Sequence, residues 1–181
     1  MASPWAHAIA GAAVGAFYHA PRHRRRVITL AAICAVAPDL DLIGWALGIS
    51  PFTLLGHRGL SHSIAFAVVL GVIATTALLP PVARRERVAA AVALILATAT
   101  HGVLDALTTY APTGPAFWAP FSNHRYRFVW MPLTGAGGFK TGFGQEALYV
   151  CLPALVLIVL IEWWRRRHPD SSAEKPLHRT D

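Results

Sequence analysis

Charge is scarce in this chain. Asp, Glu, Lys and Arg make up 14% of its 181 residues, against about 25% in ordinary soluble domains. Hydrophobic residues reach 55%, more than a soluble core of this length could hide. Mean hydropathy is +0.46, and the bilayer is the simplest solvent for such a composition. Cysteine is scarcer still. Cys34 and Cys151 each lie inside an apolar run, which reads as two small core residues and not as a disulfide framework. There is no Walker loop, no Gly-x-Ser-x-Gly elbow and no Cys-x-x-Cys pair, so the usual signatures of nucleotide, serine-hydrolase and thiol-redox chemistry are missing. Ser61 and Ser63 flank His62, but adjacent residues rarely point at one another, so serine nucleophilic chemistry has little support. No basic n-region precedes the first apolar stretch, which is therefore expected to be structural and not a signal peptide. No internal repeat is apparent.

What charge there is has a sign and a pattern. The net charge is +7, and a basic chain suggests nucleic acid first. The basic residues are nevertheless packed into Arg22-His23-Arg24-Arg25-Arg26, Arg84-Arg85-Glu86-Arg87 and Arg165-Arg166-Arg167. Each cluster flanks an apolar run, as topology signals do, so no nucleic-acid partner is expected. A protein partner is unknown at this level.

Five apolar segments follow one another: Trp5 to Tyr18; Val27 to Val36, broken at Pro38 and resuming from Leu40 to Ile49; Ser63 to Leu79, closed by Pro80-Pro81; Val88 to Leu107; and Ala147 to Trp164. The expected fold is all-α, an integral membrane bundle of about five helices. Alternating crossings put all three arginine clusters on one side, which the positive-inside rule makes cytoplasmic together with the C-terminus. The stretch from Tyr110 to Glu146 is rich in proline, glycine and aromatic residues, Trp118 and Trp130 among them. It is expected to form a long ordered outer loop before the last helix. Residues 1–168 then make one membrane-embedded domain, and residues 169–181 a disordered cytoplasmic tail.

Against this apolar background three segments stand out: Pro38-Asp39-Leu40-Asp41, His57-Arg58-Gly59-Leu60-Ser61-His62-Ser63 and His101-Gly102-Val103-Leu104-Asp105. Ionisable groups beside long apolar runs cost several kcal/mol unless paired or bound to a metal. Depth gives a second signal. At about 1.5 Å rise per residue, His7, Asp39 and His101 each fall roughly 18–20 Å from a basic edge, in the outer half of a hydrocarbon layer ~30 Å thick. His101 and Asp105, four apart, share a helix face and can serve one cation or two adjacent ones. Asp39 and Asp41, two apart, do not share a face, so one is expected to ligate and the other to support or bridge. His57 and His62 enter from the outer loop, and Ser61 is a candidate N-cap. The candidate metal ligands are therefore His7, Asp39, Asp41, His57, His62, His101 and Asp105. Arg58 has the planar fork that grips a phosphate oxygen. The plainer readings are a turn at Pro38-Asp39, an interfacial anchor at Arg58 and a core histidine at His7. His124 can touch substrate or be an ordinary loop residue. Glu162, near the basic edge, is expected to pair with Arg165 or Arg166.

These three motifs in this order, with Thr108 following and His7 preceding, resemble the YdjM-like family of predicted membrane-bound metal-dependent hydrolases. A more distant likeness is to zinc-dependent phospholipase C and the single-strand-specific zinc nucleases, in which an early histidine, an aspartate, a histidine and a His-x-x-x-Asp pair surround clustered zinc ions. Those enzymes carry a further helical His-x-x-x-acid pair, which this chain lacks after Asp105, so one or two ions are expected. The resemblance implies metal-assisted hydrolysis, with zinc as the metal and manganese or iron as alternatives. Asp41 and Asp105 are the candidate catalytic carboxylates. Arg58, Ser61, Thr108, Trp118, Arg125 and Trp130 are the candidate substrate contacts. A membrane lipid, or a lipid-like anionic phosphoester or pyrophosphate, fits a site at the outer face. The alternative is a non-enzymatic metal-binding membrane protein, a transport component or a scaffold. Continuous cation transport would need polar residues in the inner third, where Val27 to Val36 offers only Thr29 and Val88 to Ala97 none.

Overall fold

The computed structural model describes residues 2–109, 113–134 and 139–168. The expected disordered tail, 169–181, lies outside the described residues. The helices are α1 (Pro4–Gly15), α2 (Arg24–Val36), α3 (Leu42–Ala46), α4 (Ile64–Leu78), α5 (Arg84–Ala106), α6 (Phe139–Glu146) and α7 (Leu152–Arg167). A tight 3-10 turn, Ala37–Asp41, carries α2 into α3, and a π-helical turn, Ala147–Cys151, carries α6 into α7. The described chain therefore forms five helical rods, as expected, with no strand beyond an isolated bridge between Thr108 and Leu133.

Three rods are long and apolar enough to cross a bilayer: Pro21–Ala46, Arg84–Ala106 and Phe143–Arg167. The other two, α1 with 12 residues and α4 with 15, fall short of the ~20 residues a span needs. α2 ends just before Pro38, where the break in the second segment is expected, and the 3-10 turn begins there. Proline is tolerated in the first turn of a new helical stretch, where its missing N–H has no partner to lose, so the chain tightens and continues. The helix before the final span starts at Phe139, earlier than the expected Ala147, which shortens the outer loop. Ser63, and not Ser61, caps α4, its hydroxyl accepting from the Phe66 amide at 3.0 Å. Ser3 caps α1, with Pro4 following at the first helical position.

Small residues set the packing. A Cβ on Gly11 would overlap Ala35 and lie 2.6 Å from the Ala31 carbonyl oxygen, so α1 meets α2 backbone to backbone, as small residues allow in lipid. One buried cluster joins Tyr18, Val27, Leu30, Leu94 and Ala97, with Ala20 and Val82 against it. It draws the α1–α2 connection to the start of α5. At the same end Arg24 pairs with Glu162, and Arg165 donates to the His19 carbonyl at 2.9 Å. The three arginine clusters thus gather at one end of the bundle. Glu162 reaches across to Arg24, not to its expected neighbours on its own helix. α7 leaves most of its apolar side chains exposed, which suits contact with lipid and not a water-facing surface.

Candidate metal centre

The other end of the bundle is built around α5. His101 and Asp105, one turn apart, point into the protein with no exposed side-chain surface. The His101 Nδ1 lies 2.7 Å from the Ala35 carbonyl oxygen. That oxygen only accepts, so Nδ1 carries the proton and Nε2 turns its lone pair inward. The His101 Nε2 lies 3.0 Å from the Nε2 of His62 and 3.3 Å from Oδ1 of Asp39. The His62 Nε2 lies 3.4 Å from Oδ2 of Asp105. Gly102 makes the approach possible, because a Cβ there would stand 2.9 Å from the Phe117 ring and 3.0 Å from the His62 carbonyl oxygen.

Asp39 and Asp41 have separate roles. Asp41 sits behind the histidines. Its Oδ1 is 2.7 Å from Nδ1 of His57. Its Oδ2 is 3.2 Å from Nδ1 of His62 and accepts from the Arg58 amide at 3.0 Å and from the Ser61 hydroxyl. A carboxylate on Nδ1 fixes the tautomer and leaves Nε2 as the ligand atom. Asp39, by contrast, faces the cluster with neither carboxylate oxygen hydrogen-bonded, although it is buried. Of this pair, Asp39 faces the cluster and Asp41 contacts the histidines from behind.

Two lone pairs, on the inward Nε2 atoms of His62 and His101, therefore meet among two carboxylates. Such a set repels itself unless a cation or a proton lies between. Asp39, His62, His101 and Asp105 each offer one ligand atom within 4.8 Å of the others, and Asp41, His57 and His62 form a second such group. Two imidazoles and two carboxylates suit a tetrahedral zinc site and also the manganese or iron alternatives. At His62 burial favours the neutral ring, yet Asp105 and Asp41 outweigh it and raise the imidazole above its ordinary value.

His7 reaches the site from α1 but falls outside both groups. Its ring stacks on His101, centroids 3.7 Å apart. Its Nε2 is 3.6 Å from Oδ1 of Asp105, and neither ring nitrogen has a hydrogen-bond partner. His7, Asp39 and His101 do converge, as their shared depth implies.

Arg58 is turned inward, fully buried, from a backbone at φ 64°, a left-handed conformation rare outside glycine. Its Nε lies 2.9 Å from Oδ2 of Asp105, a close ion pair out of line for a hydrogen bond. Its other nitrogens donate to the Thr113 carbonyl at 3.0 Å and the Thr108 hydroxyl at 2.8 Å. Burial lowers the guanidinium from its ordinary value, with Asp105 the main counterweight. All three guanidinium nitrogens are thus taken up inside the protein. Thr108 holds Arg58, and Ser61 holds Asp41. Arg125 braces the outer loops, donating to the Thr53 carbonyl at 2.7 Å and the His57 carbonyl at 3.4 Å. Trp118 is exposed on the outer loop. Trp130 stands edge-on to Tyr149 at 6.1 Å. Neither tryptophan belongs to the cluster.

Glu146 completes the surroundings, and sequence reasoning gave it no role. It is 2% exposed and accepts from both the amide and the hydroxyl of Ser3. The preceding amide, Ala2, donates to Oδ1 of Asp105 at 3.0 Å. The one sequence signal was an acid at the mouth of an apolar run.

The fold and the site define a class: an all-helical membrane protein with a buried aspartate–histidine cluster at one end. Within that class the chain belongs to the YdjM inner membrane protein family, whose model matches residues 1–168. It is similar to inner membrane protein YbcI of Escherichia coli (strain K12), with 28% identity over 155 residues, covering 78% of this chain and 86% of that protein. No solved structure matches, and the likeness to zinc phospholipases and nucleases finds no support in these comparisons.

Proposed function

We propose that the protein is a membrane-bound metal-dependent hydrolase that cleaves a phosphoester or pyrophosphate of a lipid-like substrate at the extracytoplasmic face. One observation carries this reading: the inward Nε2 atoms of His62 and His101, 3.0 Å apart, beside the carboxylate of Asp39, which accepts no hydrogen bond. A scaffold would gain nothing from such a set, since buried polar groups that only fix packing are satisfied among themselves.

Asp39, His62, His101 and Asp105 are the residues that would hold the metal, with zinc favoured. When bound, the metal would supply a water acidified toward neutrality and a Lewis acid for a phosphoryl oxygen. The other residues have separate work. Arg58, its Nε 2.9 Å from Oδ2 of Asp105, holds that carboxylate in place. His57, backed by Asp41 at 2.7 Å, keeps its Nε2 for the proton that the reaction moves. Asp41 acts through the two histidines that it orients, and not as a free base. Arg125, Trp118 and Trp130 lie on the outer loop, where an anionic headgroup would arrive. If His57 and Asp41 instead join His62 around a second ion, two metals bind per chain.

The gathering of all three arginine clusters at the opposite end supports a cytoplasmic placement for that end and an outward-facing site. Mass spectrometry of the protein purified without chelator should find one to two ions per chain, with most of that metal gone from His101→Ala and Asp105→Ala. Equal metal content in the wild type and both variants would remove the hydrolase reading and favour a non-enzymatic scaffold.

A further inference from the structure

We propose that an apolar groove on the α1–α2 surface seats the hydrocarbon tail of the anionic lipid whose head reaches the Asp/His cluster. This deepens the hydrolase reading and rests on it for the head. The groove encloses about 410 Å³ and is lined by Ala8, Ala32, Ile33, Val36, Ala37 and Leu40. No lining side chain is polar. Half-buried alanines alternate with exposed Ile33 and Leu40, so short side chains leave a channel where longer ones would fill the helix surface. Ala32 to Leu40 covers about 12 Å of helix axis, the scale of an alkyl segment and not of a headgroup.

Three facts fix the occupant. The groove lies on Pro21–Ala46, one of the spans, so its surroundings are lipid tails and not water. Its lining is next to site residues in the chain: Ala8 follows His7, while Ala37 and Leu40 flank Pro38-Asp39. Access falls at the same place. The side chains of His7, His62, His101 and Asp105 have no exposed surface, whereas Asp39, Asp41 and His57 each retain 8%. A ligand therefore meets the cluster between the Ala37–Asp41 turn and the His57 loop, and the groove lining reaches that turn through Ala37 and Leu40. A soluble anion arriving from water would have no use for that groove. A lipid phosphate lying in the membrane has its tail beside the span and its head at the turn.

The test uses the full chain in nanodiscs with a hexadecyl phosphate carrying a mid-chain diazirine. After photolysis, peptide mass spectrometry should place most adducts between Ala32 and Leu40. Excess hexadecyl phosphate should remove them, and butyl phosphate should not. Ala32→Phe, which fills the groove, should cut labelling about tenfold, whereas Val159→Phe on the lipid-exposed face of α7 should leave it unchanged. If Ala32→Phe does not insert, Ala32→Leu carries the same expectation. Adducts spread evenly over α2, α4 and α7 and indifferent to Ala32→Phe would overturn the groove. Metal content, read in the same samples, separates the two ideas. Even labelling with metal present defeats the groove alone. Focused labelling with no metal upholds the groove as a lipid site and defeats the hydrolase reading.

Discussion

Each end of the bundle holds an arginine–carboxylate pair. At the basic end Arg24 meets Glu162, whose side chain is 38% exposed. At the other end Arg58 meets Asp105, both wholly buried. The chemistry is the same and the surroundings are opposite. Water or headgroups can take over the first pair if it is broken, so it ties rods together at little risk. The second pair has no substitute solvent. Its arginine is forced into a left-handed backbone, and its aspartate also receives the Ala2 amide. Charge placed so expensively belongs to a site, and charge placed cheaply belongs to topology.

Asp105→Ala should break the comparison most severely. It strands a buried guanidinium, a change that costs about 3–5 kcal/mol, and it removes one of the four proposed ligands. Thermal melting in detergent and metal analysis should both fall, and a melt close to wild type would mean that Arg58 is not held as described. Asp41→Asn keeps the shape and loses the charge behind His57 and His62. Metal affinity should drop about 10–100-fold with the fold retained, as seen when such outer carboxylates are lost; competition with a chelating dye reads it directly. A smaller effect is expected from pH. Because the His62 imidazole is raised, its proton competes with a cation. Metal uptake should strengthen as pH rises through that folded value. Without metal the sign reverses: stability gained from the protonated ring is present at low pH and fades over the same rise. Affinity that is flat with pH would take His62 out of the ligand set.

Glu146→Gln leaves one acceptor for Ser3 and should cost about 1–2 kcal/mol. Its more telling readout is a loosened metal site, since Ser3 is joined to the amide that Asp105 accepts; Glu146→Ala should do the same more strongly. At the bottom of the scale, Glu162→Gln should cost less than ~1 kcal/mol, as exposed pairs do, and leave metal content untouched. A large loss of metal there would collapse the distinction between the two ends.

Much of this was legible in the chain. Apolar runs and arginine clusters located the rods and their shared basic end, because those patterns are one-dimensional records of solvent and charge. Helical rise placed His7, Asp39 and His101 at one depth, and they do meet. Direction was not legible. Nothing in Pro38-Asp39-Leu40-Asp41 says that Asp39 faces the cluster while Asp41 stands behind two histidines; the 3-10 turn decides it. Arg58 looked like an outward clamp and folds inward, because its partners, Thr108 and Thr113, are brought by a distant loop. Ser61 looked like a cap and instead holds Asp41. Glu146 acquires a role only where α1 lays Ser3 against it.

The sequence by itself determined the solvent of this protein, its helical class, its charge polarity and the inventory of ligand-type side chains, since composition and period act locally. Only the tertiary structure decided which of those side chains face one another and which stand behind, because a lone pair's direction depends on rotamers and on carbonyls and carboxylates supplied from other helices.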